Sequence, residues 1–297
     1  FFILIILIIP LFSSINYKYD DINLNGKWDP FENLVKSSPD DKYITIGGAI
    51  TEIVFSLGYG NSVIAVDQSS TMPKRVNDLP DVGYIRMISS EKILSQSPKK
   101  VFTSTSMAPK TAVEQLKTSP LDFKIYNSPK NIDDTYELIN LISSDLEIPE
   151  LGNIVKDKMI EKINSIETIK NSLSSKPKIA FFMNPQSGSY VAAGNTTNAD
   201  YLINFIGGVN IFSSDFKSYQ KVSEESIFLK NPDIILVAAH DSNKSAQEYF
   251  SDNENFRFVN AFKNNKIIEI QMSDLTMGIS FPNNALKVLK SISLDAK

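Results

Sequence analysis

The chain has 297 residues, of which 42% are hydrophobic and 22% charged, and its formal net charge is −4. This composition can fill the cores of two lobes of ordinary size, and without a cluster of Lys and Arg it argues against nucleic-acid binding. The absence of cysteine excludes disulfides, thiolate metal sites and cysteine nucleophiles, and the single histidine, His240, excludes a multi-histidine metal site.

The first residues, FFILIILIIPLFSS, form an apolar run that ends in proline and small residues. A membrane-spanning helix needs about 20 apolar residues, so the shorter run predicts a signal peptide over residues 1–15. No Met or basic segment precedes it, so we expect the precursor to begin upstream. The alternative is an uncleaved N-terminal anchor. Both interpretations predict an exported protein, periplasmic or associated with the cell surface.

A polar leader rich in Asp and Asn follows at residues 16–41 and lacks the periodicity of a helix or strand. Within it, DINLNGKWDPFE matches the D-x-[DN]-x-[DN]-G-x5-E spacing of EF-hand calcium loops. The match predicts a Ca²⁺ site formed by Asp21, Asn23, Asn25, Lys27, Asp29 and Glu32. The alternative is a chance match in a polar linker, since flanking helices are not evident and Pro30 is unusual in such a loop.

Short β-branched and aromatic runs then alternate with helical stretches, which predicts an N-terminal α/β lobe over residues 42–148. The predicted strands are YITIGG (43–48), SVIAVD (62–67), KKVFTST (99–105) and DFKIYNS (122–128). The predicted helices cover residues 49–58, 89–97, 107–119 and 132–148.

A long connecting helix is predicted over residues 149–175, where isoleucines and Met159 recur at helical spacing. The alternation resumes in a C-terminal α/β lobe, residues 176–297. Its strands are expected at 178–184, 233–239 and 266–271, and its helices at 198–208, 223–231 and 283–294. The predicted fold is therefore α/β, with two lobes, each a mostly parallel sheet flanked by helices, joined by one long helix. The cleft between the lobes is the natural ligand site.

Several segments carry a family resemblance across residues 42–295. They are GGAITEIVFSLGYGNSVIAVDQSSTMP, LPDVGYIRMISSEKILSQSPKKVF, SYVAAGNTTNADYLINFIGGVN, YQKVSEESIFLKNPDIILV and MGISFPNNALKVLKSI. Together they resemble cluster III periplasmic solute-binding proteins, in particular the haem-binding proteins of bacterial haem importers. The resemblance implies a non-enzymatic protein, expected to be a monomer, that captures haem and delivers it to the permease and ATPase of an ABC importer.

Tyr84, within GYIRMISSE, occupies the position where the resembled haem-binding proteins place an axial tyrosine. A phenolate is a hard anionic donor suited to Fe(III), but free tyrosine has a pKa of about 10, so a cation must favour the ionised form. Ferric iron does most of this, and Arg86 is expected to add to it. Residues two apart lie on one side of an extended segment, so both side chains are expected in the cleft. The alternative is an ordinary loop tyrosine beside a solvated arginine.

Three further residues near predicted strand ends are weaker candidates for an axial ligand: His240, Met183 and Met107. His240 follows the strand at 233–239, whose carboxyl end faces the crevice in an α/β lobe. The resemblance assigns none of the three. Five-coordinate haem on Tyr84 alone is therefore the simpler expectation.

The resemblance also implies docking to transporter arginines through one acidic residue in each lobe. Glu52 in GGAITEIVFSLG and Glu225 in VSEESIF match these positions, with Glu224 as an adjacent alternative to Glu225. The alternative is that both are helix-surface charges, which contribute little to stability.

Other functions remain open at this point. A ferric siderophore or a corrinoid such as vitamin B12 fits the same fold, and a corrinoid would not need Tyr84 as a ligand. An extracellular α/β hydrolytic enzyme is disfavoured, because no G-x-S-x-G elbow accompanies the single histidine. A calcium-dependent adhesion module is supported only by residues 21–32.

Overall fold

The structure is a computed structural model that describes residues 41–186, 189–238, 245–250 and 254–293. It also describes two short leader strands that pair antiparallel, β1 (Lys18–Tyr19) and β2 (Leu34–Val35). The predicted signal peptide and calcium loop lie outside the described residues. Within the described part of the chain, no helix combines the length and apolarity needed to cross a membrane.

The first sheet has four parallel strands, as the alternation of strands and helices predicts. They are β3 (Tyr43–Thr45), β4 (Val63–Val66), β5 (Lys100–Ser104) and β6 (Asp122–Tyr126), in the spatial order β4-β3-β5-β6. The central strand β3 is buried along its whole length, which is typical of a sheet covered by helices on both faces. We call the part of the molecule built on this sheet the N-terminal lobe.

The helices of the N-terminal lobe follow the strands in chain order. They are α1 (Gly48–Val54), α2 (Ser90–Leu94), α3 (Lys110–Lys117) and α4 (Ile132–Asp145). Helix α1 continues as a π-helical turn over Phe55–Tyr59, and 3-10 turns cover Gly60–Ser62 and Lys74–Asp78. Asn131 is the N-cap of helix α4, and its side chain accepts a hydrogen bond from Asp134 N over 2.8 Å.

The connecting helix α5 spans Pro149–Lys170 and has proline in its first turn, where the missing N–H costs nothing. Val155, Met159 and Ile166 are buried along one stripe, while Ile154 is 43% exposed. The predicted helix is therefore present but ends five residues before Ser175, with Asn171 as its C-cap.

The second sheet supports the C-terminal lobe and is mixed. Its strands are β7 (Lys178–Gln186), β8 (Ser189–Ala193), β9 (Val209–Asn210), β10 (Tyr219–Val222), β11 (Ile234–Ala238) and β12 (Ile267–Ile270). The order is β10-β8-β7-β11-β12, and β9 also pairs with β7. Strands β8 and β10 run antiparallel to their neighbours, whereas β7, β9, β11 and β12 are parallel. The sheet is therefore mostly parallel, as predicted, and β8 and β10 are its antiparallel strands. The short connection from β7 to β8 can join only antiparallel strands.

Four helices flank this sheet: α6 (Asn198–Phe205), α7 (Glu224–Lys230), α8 (Asn260–Lys263) and α9 (Phe281–Ser293). Short 3-10 turns cover Glu248–Phe250, Glu254–Phe258 and Met272–Leu275.

One apolar core runs through both lobes. It includes Phe55 behind α1, Ile166 of α5, Phe181 of β7 and Leu289 of α9, all with 0% exposure. Two smaller clusters lie on the other faces of the two sheets. The lobes are therefore packed against each other through α5 and α9, and the cleft between them has a fixed base.

Candidate functional site

A cleft with a cavity volume of about 260 Å³ is lined by both lobes. The N-terminal lobe contributes the loop before α1, the segment around Tyr84 and the loops after β5 and β6. The C-terminal lobe contributes Asn198, Thr276 and Met277. The carboxyl ends of parallel strands β3, β5 and β6 therefore form one wall, which is the usual position of a ligand site in an α/β fold.

Tyr84 and Arg86 both line this cleft, as the sequence predicts. Tyr84 is 43% exposed, and Arg86 is also exposed. The sequence predicts an extended segment here, and this prediction is wrong. The segment is a turn, in which Met87 N donates to Tyr84 O over 2.7 Å. Ile85 between them is 8% exposed and packs into the core of the N-terminal lobe. Burial of Ile85 thus anchors the turn and leaves its two polar neighbours facing the cleft.

The residues before Tyr84 hold the turn in place. Gly83 has a φ of 111°, a conformation that glycine adopts without a steric penalty. Its N–H donates to Asp81 Oδ1 over 2.6 Å, and its carbonyl accepts from Gln68 N over 3.0 Å. The side chain of Gln68 also donates to Asp81 Oδ2 over 2.8 Å. These bonds tie the entrance of the turn to the loop that follows β4.

A buried carboxylate, which the sequence analysis did not predict, holds the loop before α1 in this wall of the cleft. Asp67 is 1% exposed and accepts hydrogen bonds from Gly47 N at 2.7 Å, Ser69 Oγ at 2.6 Å and Ser70 Oγ at 2.7 Å. It therefore fixes the cleft-lining loop before α1 to the end of β4. An Asp followed by two serines at the end of a buried strand, as in VDQSS, is the signal that could have found it.

Hydroxyl groups line the floor of the cleft at the ends of β5 and β6. Ser106 Oγ and Ser128 Oγ are 2.6 Å apart, and Ser128 Oγ donates to Ser104 Oγ over 3.0 Å. These three serines offer hydrogen bonds to polar substituents of a ligand. A neighbouring pocket of about 400 Å³ shares Ser106 and Ser128 and extends toward α4.

The three weaker candidates for an iron ligand have different surroundings. Met107 is 7% exposed and belongs to the core of the N-terminal lobe, so its interpretation as a ligand is wrong. Its predicted position at a strand end was right, but the side chain turns inward, because an unbranched apolar chain fills core space. Met183 lies on β7 and packs against the core that runs through both lobes. His240 lies outside the described residues.

The two predicted docking residues differ in their exposure to solvent. Glu52 is 2% exposed, so its interpretation as a surface contact is wrong. Its carboxylate accepts from Ser280 N and Ser280 Oγ, each over 2.8 Å. Desolvation raises the pKa of Glu52 to about 7, against the hydrogen bonds from Ser280, which lower it. Glu225, in contrast, is exposed in the first turn of α7, while Glu224 accepts a hydrogen bond from Tyr190 OH.

The described residues contain no group of three His, Cys, Asp or Glu side chains arranged to hold a metal ion. The predicted calcium ligands between Asp21 and Glu32 are outside that set, so the calcium hypothesis stays a prediction. In the cleft itself, Tyr84 and Arg86 present a phenol and a guanidinium group from the same turn.

Known proteins match this chain over most of its length. A family model described as periplasmic binding protein matches residues 44–273. The vitamin B12-binding protein of Vibrio vulnificus is 26% identical over 215 residues, covering 71% of this chain and 76% of the relative.

Two solved structures are similar over most of the chain. The periplasmic heme-binding protein RhuT from Roseiflexus sp. RS-1 has a TM-score of 0.79 and 24% identity, covering 86% of this chain and 99% of that one. The periplasmic heme-binding protein HutB of Vibrio cholerae has a TM-score of 0.77 and 25% identity, covering 85% and 99%. The two-lobed α/β fold predicted from the sequence is thus confirmed.

Proposed function

The chain belongs to the periplasmic binding protein family, and on that premise we propose that it captures haem between its lobes as an exported monomer. Membership confirms the prediction of a substrate-binding protein rather than an enzyme. Proteins of this family deliver their ligands to the permease of an ABC importer. The identity of the ligand is the part that we propose.

The observation that carries the haem proposal is the placement of Tyr84. Its phenol is exposed in the cleft and is held there by the buried Ile85 and the fixed conformation of Gly83. A phenolate stabilised by Fe(III) and by the nearby Arg86 is a strong axial donor, and apolar burial of a porphyrin adds about 25 cal/mol per Å². The structural similarity to proteins named as heme-binding supports the same ligand.

The test is the visible spectrum of the protein mixed with haemin. We expect a shifted Soret band and a ferric-tyrosinate charge-transfer band in the parent protein. Tyr84→Phe removes one oxygen and keeps the ring, so the charge-transfer band should disappear while some porphyrin affinity remains. Tyr136→Phe is the matched control, because Tyr136 lies on α4 outside the residues that line the cleft. Superimposable spectra of the parent and Tyr84→Phe would show that Tyr84 is not the ligand.

A corrinoid is the second candidate, because curated relatives at 26% identity are named vitamin B12-binding proteins. The serine hydroxyls at the cleft floor suit the amide groups of a corrinoid as well as the carboxylates of haem. Calorimetric titration with cyanocobalamin separates the two. Tight cobalamin binding that is unaffected by Tyr84→Phe, with no spectral change on adding haemin, would favour the corrinoid.

Delivery requires contact with the permease, and Glu225 is our candidate for the C-terminal lobe. Its carboxylate is exposed on α7 and available to an arginine of a partner. The N-terminal lobe must use a residue other than Glu52, which is buried.

A further inference from the structure

Glu52 and Ser280 connect the two walls of the cleft. Glu52 lies on α1, one turn after Gly48, and Gly48 lines the cleft from the N-terminal lobe. Ser280 lies three residues after Met277, which lines it from the opposite side. The two hydrogen bonds between Glu52 and Ser280 therefore join two residues that each lie close in sequence to one wall of the cleft.

The approach of the two segments is close and specific. A Cβ atom on Gly278 would lie 2.2 Å from Glu52 Oε2, so only glycine permits this contact. Ser280 O accepts from Asn284 N over 3.0 Å, so Ser280 is the N-cap residue that precedes α9. The carboxylate of Glu52 therefore caps α9 from another part of the chain, where the positive end of the helix dipole favours an anion.

Neighbouring bonds hold both ends of this link. On the side of α1, Thr51 Oγ1 donates to Thr45 Oγ1 over 2.8 Å and ties the helix to β3. On the side of Ser280, Asn198 Nδ2 of α6 donates to Leu275 O over 2.9 Å and ties the segment before α9 to the C-terminal lobe. A second bond crosses between the lobes, because Thr135 Oγ1 of α4 in the N-terminal lobe donates to Met277 O over 2.9 Å. Movement of Glu52 relative to Ser280 would therefore change the separation of the walls rather than be absorbed by loose loops.

We propose that Glu52 is a positioning residue that sets the width of the ligand cleft by joining α1 to the start of α9. The effect on haem binding rests on the proposed function. The role of Glu52 in setting the separation of the two walls does not depend on which ligand binds. Without the carboxylate, the N–H and the hydroxyl of Ser280 lose their acceptor. The segment around Gly278 then keeps the bond from Thr135 to Met277 O but loses both bonds to α1 at Ser280. The walls then sample a wider range of separations, and a ligand held between them binds less tightly.

The geometric part is tested by electron spin distance measurements at pH 8. The chain has no cysteine, so Lys92→Cys and Lys221→Cys introduce one nitroxide label on an exposed site of each lobe. We expect a narrow distance distribution in the labelled parent and a broader one with Glu52→Ala. Glu52→Gln should restore the narrow distribution, because the amide oxygen accepts from Ser280 N and the amide nitrogen donates to Ser280 Oγ.

The matched control is Asn210→Ala. Asn210 is also buried, and its side chain bonds to Ala193, Asp200 and Phe212, which all belong to the C-terminal lobe. We expect it to lower the melting temperature and to leave the distance distribution narrow. If Glu52→Ala does not fold, Ser280→Ala removes one of the two bonds and should broaden the distribution partially. An unchanged distribution in the Glu52→Ala or Ser280→Ala protein, or equal broadening in Asn210→Ala, overturns the proposal.

Haemin titration of the same proteins gives the second readout. We expect Glu52→Ala to weaken haemin binding by about tenfold, with Glu52→Gln and Asn210→Ala close to the parent. If the parent does not bind haemin, the haem proposal fails while the spin-label result still decides the role of Glu52. If the parent binds haemin and Glu52→Ala binds it equally well, the positioning role is wrong and the haem proposal stands.

Discussion

The backbone N–H of Gly47 donates to Asp67 Oδ1 over 2.7 Å, and this bond joins the loop before α1 to the end of β4. Gly47 itself lines the cleft, with a φ of 108°. The buried carboxylate of Asp67 thus holds a wall of the ligand site in place without having to contact the ligand.

Asp67→Ala should therefore destabilise the fold. It leaves the N–H groups of Gly47 and Ser69 and two serine hydroxyls without their acceptor, and an unsatisfied buried donor costs about 1–3 kcal/mol. Urea unfolding measures the loss. Asp78→Ala is the control, since Asp78 is exposed and its loss should change the free energy of unfolding by less than about 0.5 kcal/mol. Equal midpoints for the two variants would contradict the role given to Asp67.

Glu52 gives the stability a pH dependence. Burial raises its pKa from 4.5 to about 7, so between these values the native state binds more protons than the unfolded state. The free energy of unfolding should therefore fall as pH rises from 4.5 to 7, by up to about 3 kcal/mol from this group.

Unfolding curves of the parent and Glu52→Gln, measured across that pH range, isolate the contribution. Other carboxyls, such as Asp145 with its lowered pKa, contribute with the opposite sign in both proteins and cancel in the difference. The stability of Glu52→Gln relative to the parent should rise steadily with pH. A constant difference would mean that Glu52 does not titrate in this range.

Arg86→Ala should weaken haemin binding. Arg86 lines the cleft with Tyr84, so its removal takes a positive charge away from the proposed anionic ligand. Haemin titrations of the parent and the variant at one pH measure the loss of affinity. Arg75→Ala removes an exposed charge outside the cleft and should leave the affinity unchanged. An equal loss of affinity in both variants would point to net charge rather than to the position of Arg86.

Glu225→Ala should leave ligand binding intact and slow delivery. Its carboxylate is exposed on α7 and does not line the cleft, so the haemin affinity should equal that of the parent. Uptake of haemin into vesicles that contain the cognate importer measures delivery. Glu254→Ala removes another exposed carboxylate of the same lobe and serves as the control. Normal uptake with Glu225→Ala would refute the docking role.

Periodicity was enough to predict most of the strands and helices. Strands such as β5 and β11 are rich in β-branched residues and buried, so their sequences differ clearly from the helices around them. Strand β10 was not predicted, because YQKV exposes half of its residues and gains its place by antiparallel pairing with β8. Such pairing depends on a partner that local sequence does not reveal.

In the site, too, local sequence predicts some features, and others depend on residues far away in the chain. A motif led to Tyr84 and Arg86, but the motif did not reveal the turn that brings them to one cleft. The resemblance implies an exposed docking role for Glu52, and nothing near it in the sequence indicates that Ser280, 228 residues away, covers it. Burial of a single acidic residue depends on long-range packing, which a sequence pattern does not contain.

The apolar core that runs from the first sheet through α5 to α9 affects how cargo leaves the protein. Pulling the lobes apart exposes apolar side chains to water at about 25 cal/mol per Å², so thermal motion alone rarely opens them. The empty and the loaded receptor should then have nearly the same outline, and a permease must distinguish them at the rim of the cleft. Release of the ligand then requires the lobes to be separated, and the transporter must supply the free energy for this step.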